Sequence, residues 1–248
     1  MCHIGVRTNA ERVHLISVRA PAIAKELNTC VVRWRNPVVI GKSTYEEDFT
    51  MLGLLAKGMP AFDGLYVFRG GCMLMENVNP AKQLANGTRG TFWSIVWDRH
   101  FDLVPDATPP WRFRDEHPRP MTVDDFKHVP AGAEVWVPPP TYIVMRYGRH
   151  DTGFHEVAIP RVSVTPESGQ PDPRRKLALS QIRLEPAWVC TFHKLQGLTY
   201  REEDNIGLVL CLTGCAKAGK AAAAMVLVSL SRWCHAPCCD WRHATSTH

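Results

Sequence analysis

Long apolar runs are missing from this 248-residue chain. The longest, Ala221 to Leu230, falls well short of the roughly 20 apolar residues that cross a bilayer. No membrane partner is expected. Regular cysteine spacing is missing too. The nine cysteines follow no even framework, so a small disulfide scaffold is excluded and reduced thiols are expected. Met1 to Val6 lacks the charged stretch and long apolar run of a secretory leader. An intracellular protein is the expectation, nuclear or mitochondrial if eukaryotic. There is no basic low-complexity tail and no internal repeat at any period.

What is present is an apolar fraction of 45%, ordinary for a globular chain and sufficient for a core. Nineteen prolines and seventeen glycines cluster, which favours strands and long connections over a helix bundle. The net charge of +5 suits contact with nucleic acid without requiring it.

Along the chain, residues 1–58 alternate between strand and helix patterns, and residues 64–98 form a β-rich block. His3 to Val6 reads as a buried strand, and Asn9 as the cap of a helix starting at Ala10. Pro21 is expected to interrupt that helix or to separate it from a second one, Ile23 to Leu27. Strand patterns follow at Cys30 to Trp34, Pro37 to Ile40, Leu65 to Phe68, Met73 to Met75 and Thr91 to Trp97, with a turn at Asn86-Gly87. Residues 99–185 change composition. Proline clusters punctuate short strands such as Glu134 to Val137 and Thr141 to Met145, the pattern of a small β-barrel. From 186 the α/β pattern returns: Trp188 to Cys190 ends a strand, Ile206 to Leu212 is another, and Lys217 to Leu230 has helical propensity. The order is α/β, β insert, α/β.

Three runs carry candidate chemistry. In Thr191-x-His193-Lys194-x-Gln196-Gly197-x-Thr199 a strand ends and polar groups crowd a turn. Hydroxyl, imidazole, ammonium and backbone N–H groups there suit phosphate oxygens, with Gly197 allowing close backbone approach. A solvated strand-to-helix turn reads the same. Val228-Ser-Leu-Ser-Arg232 sets a rigid guanidinium after an apolar stretch, suited to bidentate phosphate contact. A surface arginine at a helix end is the plain alternative. Asn77 to Gly90, containing Asn86, Gly87 and Thr88, reads as a strand, a loop and a tight turn, as in any hairpin.

In this order the three runs resemble the second RecA-like domain of the petite-integration-frequency family of superfamily-one DNA helicases and their RecD-type relatives. The family's Asn-Gly-Ser/Thr-Arg-Gly is matched by Asn86 to Gly90. Its Pro-Ala-aromatic-x-x-Thr-x-His/Asn-Lys-x-Gln-Gly-x-Thr is matched by Pro186 to Thr199, and its Val-x-Leu-Ser-Arg by Val228 to Arg232. The opening Arg7 to Arg12 resembles the family's first strand-helix step. The resemblance spans roughly residues 3–232, with the 99–185 insert similar only in composition and position.

What the resemblance implies is an α/β RecA-like domain of the P-loop NTPase fold, interrupted by an SH3-like β insert. Its bounds are 1–98 and 186–232 for the domain, 99–185 for the insert and 233–248 for an atypical tail. It implies the carboxy-terminal motor half of an ATP-dependent 5′-to-3′ DNA helicase, of the kind that serves DNA repair and recombination. Arg232 is then the catalytic arginine finger on ATP, and Gln196 and Gly197 line the same nucleotide cleft. Thr191, His193 and Lys194 lie near single-stranded DNA, as do Asn86, Gly87 and Thr88. The partners are single-stranded DNA and the first RecA-like domain. ATP and Mg²⁺ belong to the complete parent enzyme, and the chain alone is expected to bind neither.

The sequence departs from that family in two places. The phosphate loop and the Mg²⁺-binding carboxylate strand of the first domain are absent. Gly41-Lys-Ser-Thr44 imitates the loop, but Asn36 stands where its first glycine belongs, and an ordinary turn is expected. The tail from Trp233 to His243 also differs. Cys234, Cys238, Cys239 and His243 are too cramped for tetrahedral zinc, so no metal is expected. His150 to Glu156 reads as a polar hairpin end. The remaining alternative is a non-catalytic truncated remnant with weak nucleic-acid binding.

Overall fold

The computed structural model describes residues 2–6, 8–40, 43–45, 62–82, 84–104, 106–114, 120–149, 153–164, 177–191 and 207–210. Strand β1 (Cys2–Val6) leads into helix α1 (Asn9–Glu26). Strands β2 (Val31–Arg35), β3 (Val38–Ile40), β4 (Ser43–Tyr45), β5 (Asp63–Val67), β6 (Gly71–Leu74) and β7 (Arg89–Val96) follow. Then come β8 (His100–Leu103), β9 (Trp111–Arg114), β10 (Pro120–Met121), β11 (Glu134–Trp136), β12 (Tyr142–Arg149) and β13 (Gly153–Val164). The last are β14 (Leu177–Ile182), β15 (Leu184–Pro186), β16 (Val189–Thr191) and β17 (Gly207–Leu210). The architecture is mixed α/β and mostly strand.

Two compact units divide the chain: residues 1–12 with 188–248, and residues 13–187. In the first, β1 lies between β16 and β17 in a three-stranded parallel sheet. Both ends of the chain therefore build one sheet, as the α/β–insert–α/β order anticipates. Helix α1 begins with a capping box: Thr8 N donates to Glu11 Oε2 at 3.0 Å, and Glu11 N donates to Thr8 Oγ1 at 3.2 Å. Thr8 rather than Asn9 is the capping residue, because the reciprocal acceptor stands at Glu11.

Pro21 does not interrupt α1, contrary to expectation: the helix runs unbroken to Glu26. Ile16, Ala20, Ile23 and Ala24 are buried on either side of it. This continuous apolar stripe, at helical spacing, outweighs the missing hydrogen bond.

In the second unit a nine-stranded sheet runs β15-β6-β7-β12-β13-β14-β3-β4, with β10 paired to β7. A three-stranded sheet, β11-β2-β5, and a two-stranded ribbon, β8-β9, complete it. Hydrogen bonding crosses position 98 repeatedly: β7 pairs with β12, β2 with β11 and β3 with β14. Composition changes at residue 98, but pairing follows which faces are apolar. Tyr66, Phe68, Phe92, Ile95, Ile143, Met145 and Ile159 are fully buried in one cluster. Tyr66 meets Phe68 edge-on at 4.7 Å and Phe92 at 4.7 Å between ring centroids. Arg33 of β2 binds Ser17 Oγ of α1 at 2.7 Å and Glu134 of β11 at 2.8 Å, joining three elements through one guanidinium.

Residues 41 and 42 lie outside the described residues. The strands on either side are antiparallel, with Ile40 opposite Ser43. A phosphate loop instead joins a strand to a helix, and the turn expected at Gly41–Ser43 falls largely outside the described residues.

Cys30 and Cys72 are buried free thiols. Burial raises the Cys30 thiol to about 11, opposed by a backbone hydrogen bond, and burial alone pushes Cys72 well above its ordinary value. The thiolate is the nucleophile. Native protein at pH 8 is therefore expected to leave both unmodified by iodoacetamide, with labelling on denaturation, as read by peptide mass spectrometry. Both folded values are raised, so the neutral-thiol contribution is complete below the ordinary thiol range. It is lost as pH rises through the folded values, near 11 for Cys30. Rapid native labelling of either residue would contradict the burial.

Candidate functional site

The carboxyl ends of parallel strands are where open α/β sheets present loops to ligands. Here β1 and β16 end together, with Val6 opposite Thr191, Gly5 opposite Cys190 and Ile4 opposite Val189. Ile4 N also donates to Trp188 O at 2.8 Å. This pairing puts the start of α1, after β1, and Thr191, the last residue of β16, at one edge of one sheet. Trp188, Val189, Cys190 and Thr191 are all buried. Their apolar character and β-branching suit a strand enclosed on both faces, as in parallel sheets. Thr191, expected as a DNA contact, is the last residue of β16 and is buried to 7% exposure. His193, Lys194, Gln196, Gly197 and Arg232 lie outside the described residues, as do Lys217 to Leu230 and the cysteines of the tail.

Asn86, Gly87 and Thr88 belong to the other unit and close the β6–β7 connection. Asn77 Oδ1 accepts from Asn86 N at 2.9 Å, and Thr88 Oγ1 accepts from Ala85 N at 3.0 Å. Gly87 N donates to Leu74 O, and Leu74 N to Thr88 O, both at 2.9 Å. Gly87 has φ of +92° with open space where a Cβ would stand, which explains glycine at that turn. The hairpin reading of this run holds. The backbone of the turn is satisfied internally, while the Asn86 side chain is exposed. Thr191 and the Asn86–Thr88 turn thus occupy different compact units.

Two features escaped the sequence reading. One is the Thr8–Glu11 box, signalled by Thr-x-x-Glu but overshadowed by Asn9. The other is a cationic stack of Arg146 with Trp93 and Phe154, contributed by three strands. No local spacing announces it, because cross-strand register brings those positions together. Residues 153–156 of the expected polar hairpin end lie in β13, which pairs antiparallel with β12. Among the described residues no group of three or more His, Cys, Asp or Glu is placed to hold a metal ion. No described helix is long and apolar enough to cross a membrane.

No protein-family model matches the chain, and no curated protein does. Solved structures do. The chain is similar to Pif1 helicase from Candida albicans, at 18% identity and a TM-score of 0.47, over 92% of this chain and 42% of that one. It is also similar to a Bacteroides Pif1 solved bound to single-stranded DNA, at 14% identity and a TM-score of 0.45, over 93% of this chain and 38% of that one. A further Bacteroides Pif1, solved with ADP-AlF4, matches at 14% identity and a TM-score of 0.39, over 92% of this chain and 37% of that one. The chain spans about two fifths of the length of these helicases.

Proposed function

We propose that this chain is the carboxy-terminal motor half of an ATP-dependent 5′-to-3′ DNA helicase. The observation that supports it best joins sequence and structure. Thr191, the last described residue of the run Pro186 to Thr199, ends β16 at the carboxyl edge of a parallel sheet whose central strand is β1, from the other end of the chain. A strand end of that kind supports the motif reading, since strand-end loops of such sheets hold phosphates. Residues 99–185 then form the SH3-like insert within the RecA-like domain.

On this reading Arg232 is the arginine finger, neutralising charge on the transferring phosphoryl group of ATP held with Mg²⁺ by the first RecA-like domain. Gln196 and Gly197 face the same nucleotide. His193 and Lys194, with Asn86, Gly87 and Thr88, contact the DNA backbone without reading its sequence, while Thr191, buried, ends the strand before them. Repair and recombination are the processes such a motor serves.

Two measurements test the reading. Filter binding of the full chain to single-stranded DNA is expected to weaken linearly in log affinity against log salt, as counterion release requires. An affinity for single strands that is absent, or indifferent to salt, removes the nucleic-acid reading and leaves an inert remnant. The isolated chain carries no phosphate loop, so it is expected to hydrolyse ATP negligibly. Turnover on the order of 1 s⁻¹ or faster contradicts the assignment as one half of an ATP site.

A further inference from the structure

The exposed face of the large sheet carries an arginine held between two aromatic rings. Trp93 of β7, Arg146 of β12 and Phe154 of β13 come from three adjacent strands. Arg146 lies across from Thr91 on one side and Glu156 on the other, while Phe154 faces Gly148. The Arg146 Cζ stands 4.3 Å from the Trp93 ring centre and 4.7 Å from that of Phe154. Behind them, on the opposite face, Phe92, Met145 and Ile159 are fully buried.

Three properties make this more than surface packing. Trp93 remains 39% and Phe154 50% exposed, although large aromatics normally bury most of their area. Arg146 forms no ion pair with any described residue, even with Glu156 across the strand. Its Nε is buried without a hydrogen-bond partner. The two rings flank the guanidinium, which is in no ion pair with a described residue. A fork of that kind matches a phosphate oxygen pair.

We infer that Trp93, Arg146 and Phe154 form a docking platform for single-stranded nucleic acid. Arg146 takes a backbone phosphate and the two rings stack unpaired bases. The charge sign selects an anionic partner. The two exposed rings select one with flat apolar groups, and single strands offer both. A duplex keeps its base faces stacked and inaccessible. The inference rests on the nucleic-acid reading above and adds to it three residues outside the three motif runs.

The test compares two probes of equal phosphate count, an oligothymidylate on the order of 12 nucleotides and an abasic chain of the same length. The full chain is expected to bind oligothymidylate about tenfold more tightly than the abasic chain, because stacking is lost without bases. The double variant Trp93→Ala/Phe154→Ala is expected to bind both equally. Arg146→Lys, which keeps the charge but not the planar fork, is expected to bind both more weakly. All three side chains lie on the outer face, so melting midpoints serve as the folding control, and Arg146→Lys tests the site if the double variant melts early. If the variants bind like the parent, the platform is wrong and the motor reading stands. If the parent binds neither probe, both are wrong. A parent that prefers neither probe overturns the stacking role.

Discussion

Phe92→Ala is expected to lower the unfolding free energy of the chain by about 3–5 kcal/mol, the usual range for deleting a buried aromatic side chain. Phe92 is fully buried on β7, the strand that joins β6, β10 and β12. Its ring packs against Tyr66, so truncation removes both transfer free energy and an aromatic pair. Its backbone also matters. Phe92 N donates to Gly70 O and Arg69 N donates to Phe92 O, each at 2.9 Å, and these bonds limit collapse of the neighbours into the cavity. Total stabilities are commonly about 5–15 kcal/mol, so much of the margin is lost. Urea unfolding followed by tryptophan fluorescence reads the effect. Val18→Ala, at a 59% exposed position, provides the control and should change stability by no more than about 0.5 kcal/mol. A loss under about 1 kcal/mol for Phe92→Ala means that the core is not organised around β7.

Gly64→Ala is expected to cost about 3 kcal/mol, through crowding rather than through a cavity. Gly64 on β5 sits opposite Trp34 on β2. A Cβ there overlaps Cε2, Cζ2 and Nε1 of the Trp34 indole. The ring has little room to retreat, since Trp34 is 3% exposed and its Nε1 donates to Asn36 Oδ1 at 3.0 Å in a buried bond. Displacement strains the core and strands two polar groups, each effect being worth about 1–3 kcal/mol. The mechanism has a signature. In the Trp34→Leu background the added methyl group meets no indole, so the double variant should lose clearly less than the sum of the single losses. Strict additivity, or a neutral Gly64→Ala, contradicts the clash. The sequence alone marks Gly64 only as a strand-edge glycine; cross-strand register explains its small size.

The extent to which sequence sufficed differs between elements. Strands at Val31–Arg35, Arg89–Val96 and Tyr142–Arg149 match positions where β-branched and aromatic residues concentrate. The Asn86-Gly87 turn follows from a residue pair that tolerates positive φ. These are local decisions, made by a few neighbouring side chains. The continuation of α1 through Pro21 was not legible, because the buried stripe that outweighs proline is supplied by packing partners elsewhere in the chain.

Of the candidate site, the sequence by itself determined the inventory: which residues carry hydroxyl, imidazole, ammonium and guanidinium groups, and in which order along the chain. It also determined that both ends have α/β character around a β-rich middle. Only the tertiary structure decided that β1 lies between β16 and β17, so that Thr191 ends a strand beside Val6. Only it decided that strands before residue 98 pair with strands after it, and that Trp93, Arg146 and Phe154 meet on one sheet face. The reason is physical. Propensity and turn chemistry act over a few residues, whereas strand partners are selected by apolar faces and register between segments far apart in the chain.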